Sequence, residues 1–220
     1  MVTTSDRGAG RGVRRSPEKR KAIADAARAV FVREGFARAS VDTIAAEAGV
    51  SKRTIYNHYG DKKQLFLAIV EQSTDATATS LLDVARRRLA EFDDVEEALI
   101  AFGREWVRPD PRFTDHVALV RLIIAEAAHH PEIVRAWHDA GPRQVRNGLA
   151  RQLKEIAERG MLEIDDPEVA ARHFGALVHS PVRERSLYGA LELDEADVDA
   201  VVRDGVRAFL RIYRGPGGRP

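Results

Sequence analysis

The chain has 220 residues, 44% of them hydrophobic and 31% charged, which fits a globular protein of one or two domains with a sizeable core. It contains no cysteine, no run of about eighteen apolar residues and no apolar stretch behind its polar, basic start. Disulfides, thiolate catalysis, Cys-zinc sites and a spanning helix are thereby excluded, and a cytoplasmic protein without a secretory signal is expected. The formal net charge of +1 hides an asymmetry: residues 1–63 hold fourteen Lys/Arg against seven Asp/Glu, and residues 64–220 hold twenty-one against twenty-seven. A basic head on an acidic body points any nucleic-acid footprint at the head.

Residues 1–16 read as a polar, basic, disordered arm. Gly8, Gly10 and Gly12 make a G-x-G-x-G run, but no strand precedes it, so no nucleotide site follows from it. Arg7, Arg11, Arg14 and Arg15 are candidates for a minor groove or for a solvated tail. Pro17 suits the first turn of a helix over 17–35, whose buried stripe is Ile23, Ala26, Ala27, Val30 and Phe31. Gly35 ends it, and Phe36 plugs the core.

The next stretch carries the most specific pattern. Val41, Ile44, Ala45 and Ala48 fall on one helical face, with Ser40 as N-cap and Gly49 where a left-handed C-cap wants glycine. Ser51 is a second N-cap. A small residue at Ala45, a permissive turn at Gly49 and an aliphatic anchor at Ile55 together signal a helix-turn-helix. The second helix, 52–59, is about 12 Å long, comparable to the width of the major groove. With Ile55 and Tyr59 facing inward, Lys52, Arg53, Tyr56 and Asn57 are left outside. Lys and Arg donate to guanine O6/N7, and Asn pairs with adenine N6/N7. Thr54, Tyr56 and His58 are donors for phosphate, and the helix start at Ser51 favours an anion.

The run SVDTIAAEAGVSKRTIYNHYGDKKQLFLAIV resembles the DNA-binding domain of TetR-family transcriptional repressors. The hallmark, T-[LI]-Y-x-[HY]-F followed by a polar residue, Lys and Leu, stands here as Thr54-Ile55-Tyr56-Asn57-His58-Tyr59, then Asp61-Lys62-Lys63-Gln64-Leu65. Tyr59 replaces the usual Phe, and Arg53 stands where many members carry a small residue. The resemblance covers 17–72. It implies base or phosphate contact by Lys52, Arg53, Thr54, Tyr56 and His58, and phosphate contact by Thr43 and Lys62. With the N-cap Ser40 and with Asn57, these form the candidate DNA-binding set.

Asp61 caps a fourth helix bearing Leu65, Phe66, Ile69 and Val70, with Gln64 as capping-box partner. It is expected to run to Leu89, with fraying or a bend among residues 73–80, and to link head to body. The body shows no strand alternation. Helices are expected over 94–107; over 113–130, apolar on most sides and therefore central; after Pro131; over 143–159; from Pro167, with a break or kink at Pro181; and from Asp194 to about 213. Two segments, RLIIAEAAHHPEIVRAWHDAGP and RGMLEIDDPEVAARHFGALV, resemble the body of AefR-like members of the same family. That likeness implies a ligand-sensing and dimerising domain.

The expected fold is all-α: a disordered arm 1–16, a helix-turn-helix DNA-binding head 17–63, a helical ligand-binding and dimerisation domain 64–214, and a tail 215–220. The expected function is a repressor that binds a palindromic operator as a homodimer and is released by a small-molecule effector. One short recognition helix reads only a few base pairs, so two heads on a two-fold axis are needed for a useful margin over competing sites. The last two helices, 167–190 and 194–213, are the candidate dimer interface. Phe102, Trp106, His116, Arg121, Trp137, His173 and Phe174 are the side chains available to a pocket, although aromatics at helical spacing more often form core.

Alternatives are a helical scaffold module with a basic head, or an enzyme. Glu126-x-x-His129 is half of a carboxylate-bridged metal site and has no second half. Ser180 and Ser186 lack a G-x-S-x-G elbow. No catalytic residue, metal or cofactor is assigned.

Overall fold

The computed structural model describes residues 10–108 and 114–215. Among them there is no strand, only helices and one isolated bridge between Leu162 and Arg214. They form two compact units that divide between Gln72 and Ser73.

The first unit holds α1 (Gly10–Glu34), α2 (Val41–Glu47), α3 (Lys52–Tyr59) and the start of α4 (Lys62–Leu89). Helix α1 begins seven residues before Pro17, so part of the expected loose arm is helical, with Pro17 inside it. Arginines are good helix formers, and three stand in that first stretch. Residues 1–9 of the expected arm, with Arg7, lie outside the described residues, as do the side chains of Arg11, Arg14 and Arg15.

Three phenylalanines centre this unit. Phe31 and Phe66 meet edge to face at 4.9 Å, and Phe36 lies 5.0 Å from Phe66. Offset and edge-on pairs add to the burial of apolar area because the positive ring edge meets a negative face. Ile23, Ala27, Val30, Ile44, Ile55, Leu65 and Val70 fill the space around them, all buried. Leu65, Phe66, Ile69 and Val70 belong to α4, so its first turns are core to the head. That is why the units divide at 72/73, nine residues beyond the expected limit at 63.

The second unit holds the rest of α4, then α5 (Val95–Val107), α6 (Thr114–Ala125), α7 (Pro131–Ala140), α8 (Pro142–Glu158) and α9 (Pro167–Phe174). A π-helical turn over Gly175–His179 joins α9 to α10 (Ser180–Arg185), and α11 (Glu195–Tyr213) closes the chain. Helix α4 is continuous through residues 73–80, where a bend was expected. Thr77 there returns its hydroxyl to the Ser73 carbonyl at 2.8 Å, which keeps its polar group within the helix. Asp94, Asp166 and Asp194 cap the helices that follow them. The prolines at 109 and 111 and the tail from 216 lie outside the described residues.

The core of this unit is built from α5, α8, α9, the π turn and α11, around Leu99, Phe102, Leu149, Leu153, Phe174, Val202 and Phe209. Helix α6 is not central, contrary to its apolar sequence. Leu119 and Ile123 are buried, but Ile124 is 44% exposed and Arg121 faces outward. An all-round apolar helix need not be buried all round in one chain. An ion-pair row ties α5 to α11: Arg104 to Asp199, Glu97 to Arg203 at 3.5 Å, and Glu96 to Arg207 at 3.7 Å. Arg104 and Arg203 hold the Asp199 carboxyl well below the usual carboxylate range.

Two histidines make folding sensitive to acid. His116 sits against Ser73, Nδ1 to Oγ 3.3 Å, and burial pushes its imidazole down to about 4. His179 stacks on Trp106 at 5.0 Å, and burial, helped by the Arg183 charge, pushes it down to about 4 as well. Both folded values lie below the ordinary value of 6.5, so the unfolded chain takes up these protons first. The contribution of these two histidines is complete above pH 6.5, is lost as pH drops toward 4, and is followed at lower pH by loss of the contribution of Asp199. Each histidine contributes on the order of 3 kcal/mol. Urea titrations at stepped pH are expected to show this decline, and His116→Gln to make it shallower.

Candidate nucleic-acid interface

Helices α2 and α3 start with the same device. Ser40 Oγ accepts the Thr43 N–H at 3.0 Å, and Ser51 Oγ accepts the Thr54 N–H at 3.2 Å. In each pair the two hydroxyl oxygens are 2.9 Å apart. If the serine donates that bond, the threonine proton is left for an outside acceptor such as phosphate. The turn between the helices is a Schellman motif. The Gly49 N–H reaches the Ala46 carbonyl at 3.2 Å, and the Val50 N–H reaches the Ala45 carbonyl at 3.0 Å. Gly49 adopts φ +63°, where a β-carbon would be strained. Gly60, at φ +83°, ends α3 after eight residues, and Asp61 Oδ1 then caps α4 by accepting the Gln64 N–H at 2.8 Å.

Helix α3 buries one residue, Ile55, against the head. Tyr59 fastens the helix end: its hydroxyl donates to the Arg20 carbonyl at 3.2 Å, and the Arg20 guanidinium lies over its ring. The opposite side is open. Lys52, Arg53, Tyr56 and Asn57 are exposed, Tyr56 at 46%, and Thr54 and His58 are half-buried. Lys52 and Tyr56 are four apart, as are Arg53 and Asn57, so the four lie together along one flank. One expectation missed a neighbour. Asp42, in the first turn of α2, holds the Lys52 ammonium at 2.7 Å.

Lys62 is placed differently from the expectation of a phosphate contact. Its ammonium donates to the carbonyls of Phe36, Ala37 and Ala39 at 2.9, 3.2 and 3.1 Å and lies over the Phe36 ring at 4.8 Å. An ammonium has three N–H groups, and all three are taken. The side chain is a clamp between the start of α4 and the loop joining α1 to α2.

Sequence comparison places this geometry. Residues 23–69 match the model of the bacterial regulatory proteins of the tetR family, and residues 97–215 match the C-terminal domain of AefR-like transcriptional repressors. The chain belongs to the TetR family. It is a DNA-binding transcriptional regulator with a helix-turn-helix head and a helical C-terminal domain. An HTH-type transcriptional repressor of Streptomyces coelicolor is 42% identical over 209 residues, which is 90% of this chain and 96% of that one. A solved TetR-family regulator from Mesorhizobium loti superposes with a TM-score of 0.81 at 30% identity, covering 91% of this chain and 98% of the other. The flavonoid-responsive regulator FrrA superposes with a TM-score of 0.69 at 29% identity, covering 90% and 98%.

In the body of this TetR-family regulator the side chains expected around a pocket do not converge. Phe102, Trp106 and Phe174 stack with one another in the core, Trp106 parallel to Phe174 at 6.0 Å. His173 bonds the Tyr213 hydroxyl at 2.7 Å, and Arg121 donates to the Gly189 carbonyl at 3.0 Å. Four buried side-chain polar atoms lack a hydrogen-bond partner among the described residues, and Gln152 Oε1 and Arg183 Nε are two of them. The other two are Thr74 Oγ1, in a residue only 2% exposed, and Trp137 Nε1. Thr74 packs against Gly141, one helical turn beyond Trp137. Neither Thr74 nor its lack of a partner was legible in the sequence, because threonines in helices usually bond the preceding turn.

Proposed function

We propose that this regulator is a homodimeric repressor whose two α3 helices enter successive major grooves of a two-fold symmetric operator. The observation that carries the reading is the open flank of α3, with Lys52, Arg53, Tyr56 and Asn57 exposed around one buried anchor. Lys52, Arg53 and Asn57 meet base edges. Ser40, Thr43, Thr54, Tyr56 and His58 meet phosphates. Lys62 ties the start of α4 to the loop joining α1 and α2 through its carbonyl clamp. The half-sites lie about 34–36 Å apart, or a multiple of that. Repression is favoured over activation by the repressor from Streptomyces coelicolor, the relative at 42% identity.

The second unit is the sensing and dimerising part. Helices α9, α10 and α11 supply the interface, and Ile212, 60% exposed on α11, suits a partner surface. The effector is a small molecule that satisfies Thr74 Oγ1 and Trp137 Nε1 in the bound conformer. A buried unpaired hydroxyl or indole N–H costs about 1–3 kcal/mol, which a ligand that pairs it recovers. FrrA, by its name, responds to flavonoids, which makes planar phenolic compounds the first class to screen. Helix α4 carries Thr74 and also the head residues Leu65 and Phe66, so a ligand at Thr74 acts on a helix that the head shares. Such a ligand lowers DNA affinity by the difference in its own affinity for the two conformers.

Selection from random duplexes with the wild-type protein is expected to yield an inverted repeat. Against that duplex, Tyr56→Ala weakens binding by about 1–2 kcal/mol, roughly tenfold, and Asn57→Ala relaxes preference at one adenine position. Gel-shift affinities unchanged in both variants would remove α3 from the interface.

A further inference from the structure

We propose that Asp42 is a specificity-determining residue of the head, because its carboxylate holds the Lys52 ammonium and sets which DNA groups Lys52 can take. The inference rests on the reading of α3 as the DNA-facing helix. Lys52 Nζ stands 2.7 Å from Asp42 Oδ1, and both side chains are open to solvent, at 48% and 70%. The pair therefore reaches across the helix-turn-helix on its outer side rather than inside its core. Asp42 shares the first turn of α2 with Thr43 and follows the Ser40 cap, both candidates for phosphate. A carboxylate there repels phosphate, and it offsets the charge of Lys52, the first of the two cations at the start of α3.

The count of N–H groups gives the consequence. Lys52 has three, and Asp42 takes one. Two remain, enough for O6 and N7 of a guanine in the frame set by α3. In that frame Lys52 keeps Asp42 and bonds the base together, so the ion pair survives binding. On DNA of unrelated sequence, Lys52 finds no such base edge, and a phosphate met by its free N–H groups must sit beside the Asp42 carboxylate. That like charge opposes the contact. Asp42 thus penalises the sequence-independent mode, which consists almost entirely of phosphate contacts with counterion release, more than the specific one.

The test compares wild type, Asp42→Asn, Asp42→Glu and Asp42→Asn/Lys52→Met by fluorescence anisotropy. The probes are a mixed-sequence duplex and the duplex enriched by wild-type protein, each titrated with salt. A thermal melt confirms that each variant is folded. Asp42→Asn is expected to bind the mixed duplex about three- to tenfold more tightly, with a log–log salt slope steeper by about one. Its affinity for the enriched duplex changes by less than about threefold, so the specificity ratio falls. The added Lys52→Met change returns the slope on mixed DNA to the wild-type value, and Asp42→Glu keeps wild-type behaviour. A folded Asp42→Asn protein with unchanged mixed-duplex affinity and slope overturns the role of Asp42 while leaving α3 as the reading helix. Wild-type protein that binds neither duplex overturns both.

Discussion

Lys62→Met is expected to destabilise the head by about 2–3 kcal/mol and to weaken operator binding while leaving the salt slope of that binding unchanged. Methionine keeps the length and apolar stem of the side chain but leaves the carbonyls of Phe36, Ala37 and Ala39 without their shared donor. A hydrogen bond to a charged group is worth about 1.5–3 kcal/mol, and these carbonyls lie in a loop where water replaces part of the loss. Lys62→Arg is not a rescue. A planar fork does not aim three N–H groups at three converging carbonyls from one nitrogen. Denaturant unfolding of the full chain measures the first effect, and anisotropy against salt the second. A slope lower by about one would instead give Lys62 back to a phosphate.

Gly205→Ala is the most damaging small change expected in the body. A methyl on Gly205 of α11 would stand 2.3 Å from the carbonyl oxygen of Leu177 and 2.8 Å from its carbonyl carbon. Both atoms are backbone of the π turn, so no rotamer change relieves the overlap; the two helices must move apart. That separation opens the core around Phe174, Val178, Val202 and Phe209. The cost is about 3 kcal/mol, the upper end for overpacking, and a fall in melting temperature of roughly 10 °C for a unit of this size. Gly175→Ala makes the comparison: the added carbon meets Trp106 at 3.4 Å, ordinary contact, and the melt should barely shift.

The head was largely readable from the sequence because its signals are local. Ser40, Ser51 and Asp61 as caps, Gly49 as a left-handed stop and Ile55 as the anchor each depend on residues within a few positions. What escaped reading depends on contacts distant along the chain. Lys62 looks like any basic residue at a helix start, and its acceptors lie 23 to 26 residues away. Asp42 carried no reading of its own, and its hold on Lys52 appears only once the two helices cross. The peripheral place of α6 and the π turn over Gly175–His179 were likewise invisible. Apolar periodicity reports which faces avoid water, not which neighbour covers them. The extra residue of a π turn is accommodated by the close approach of Gly205, which no local pattern in Gly175–His179 announces.

Helix α3 gives up a single side chain, Ile55, to the interior, and its ends are fixed by Ser51 and by Gly60. On the reading proposed for α3, drift at the outward positions would redirect a descendant protein to a new promoter without touching the parts that make it fold. Gene duplication followed by a handful of codon changes inside one eight-residue cassette would be enough to found a separate regulatory circuit.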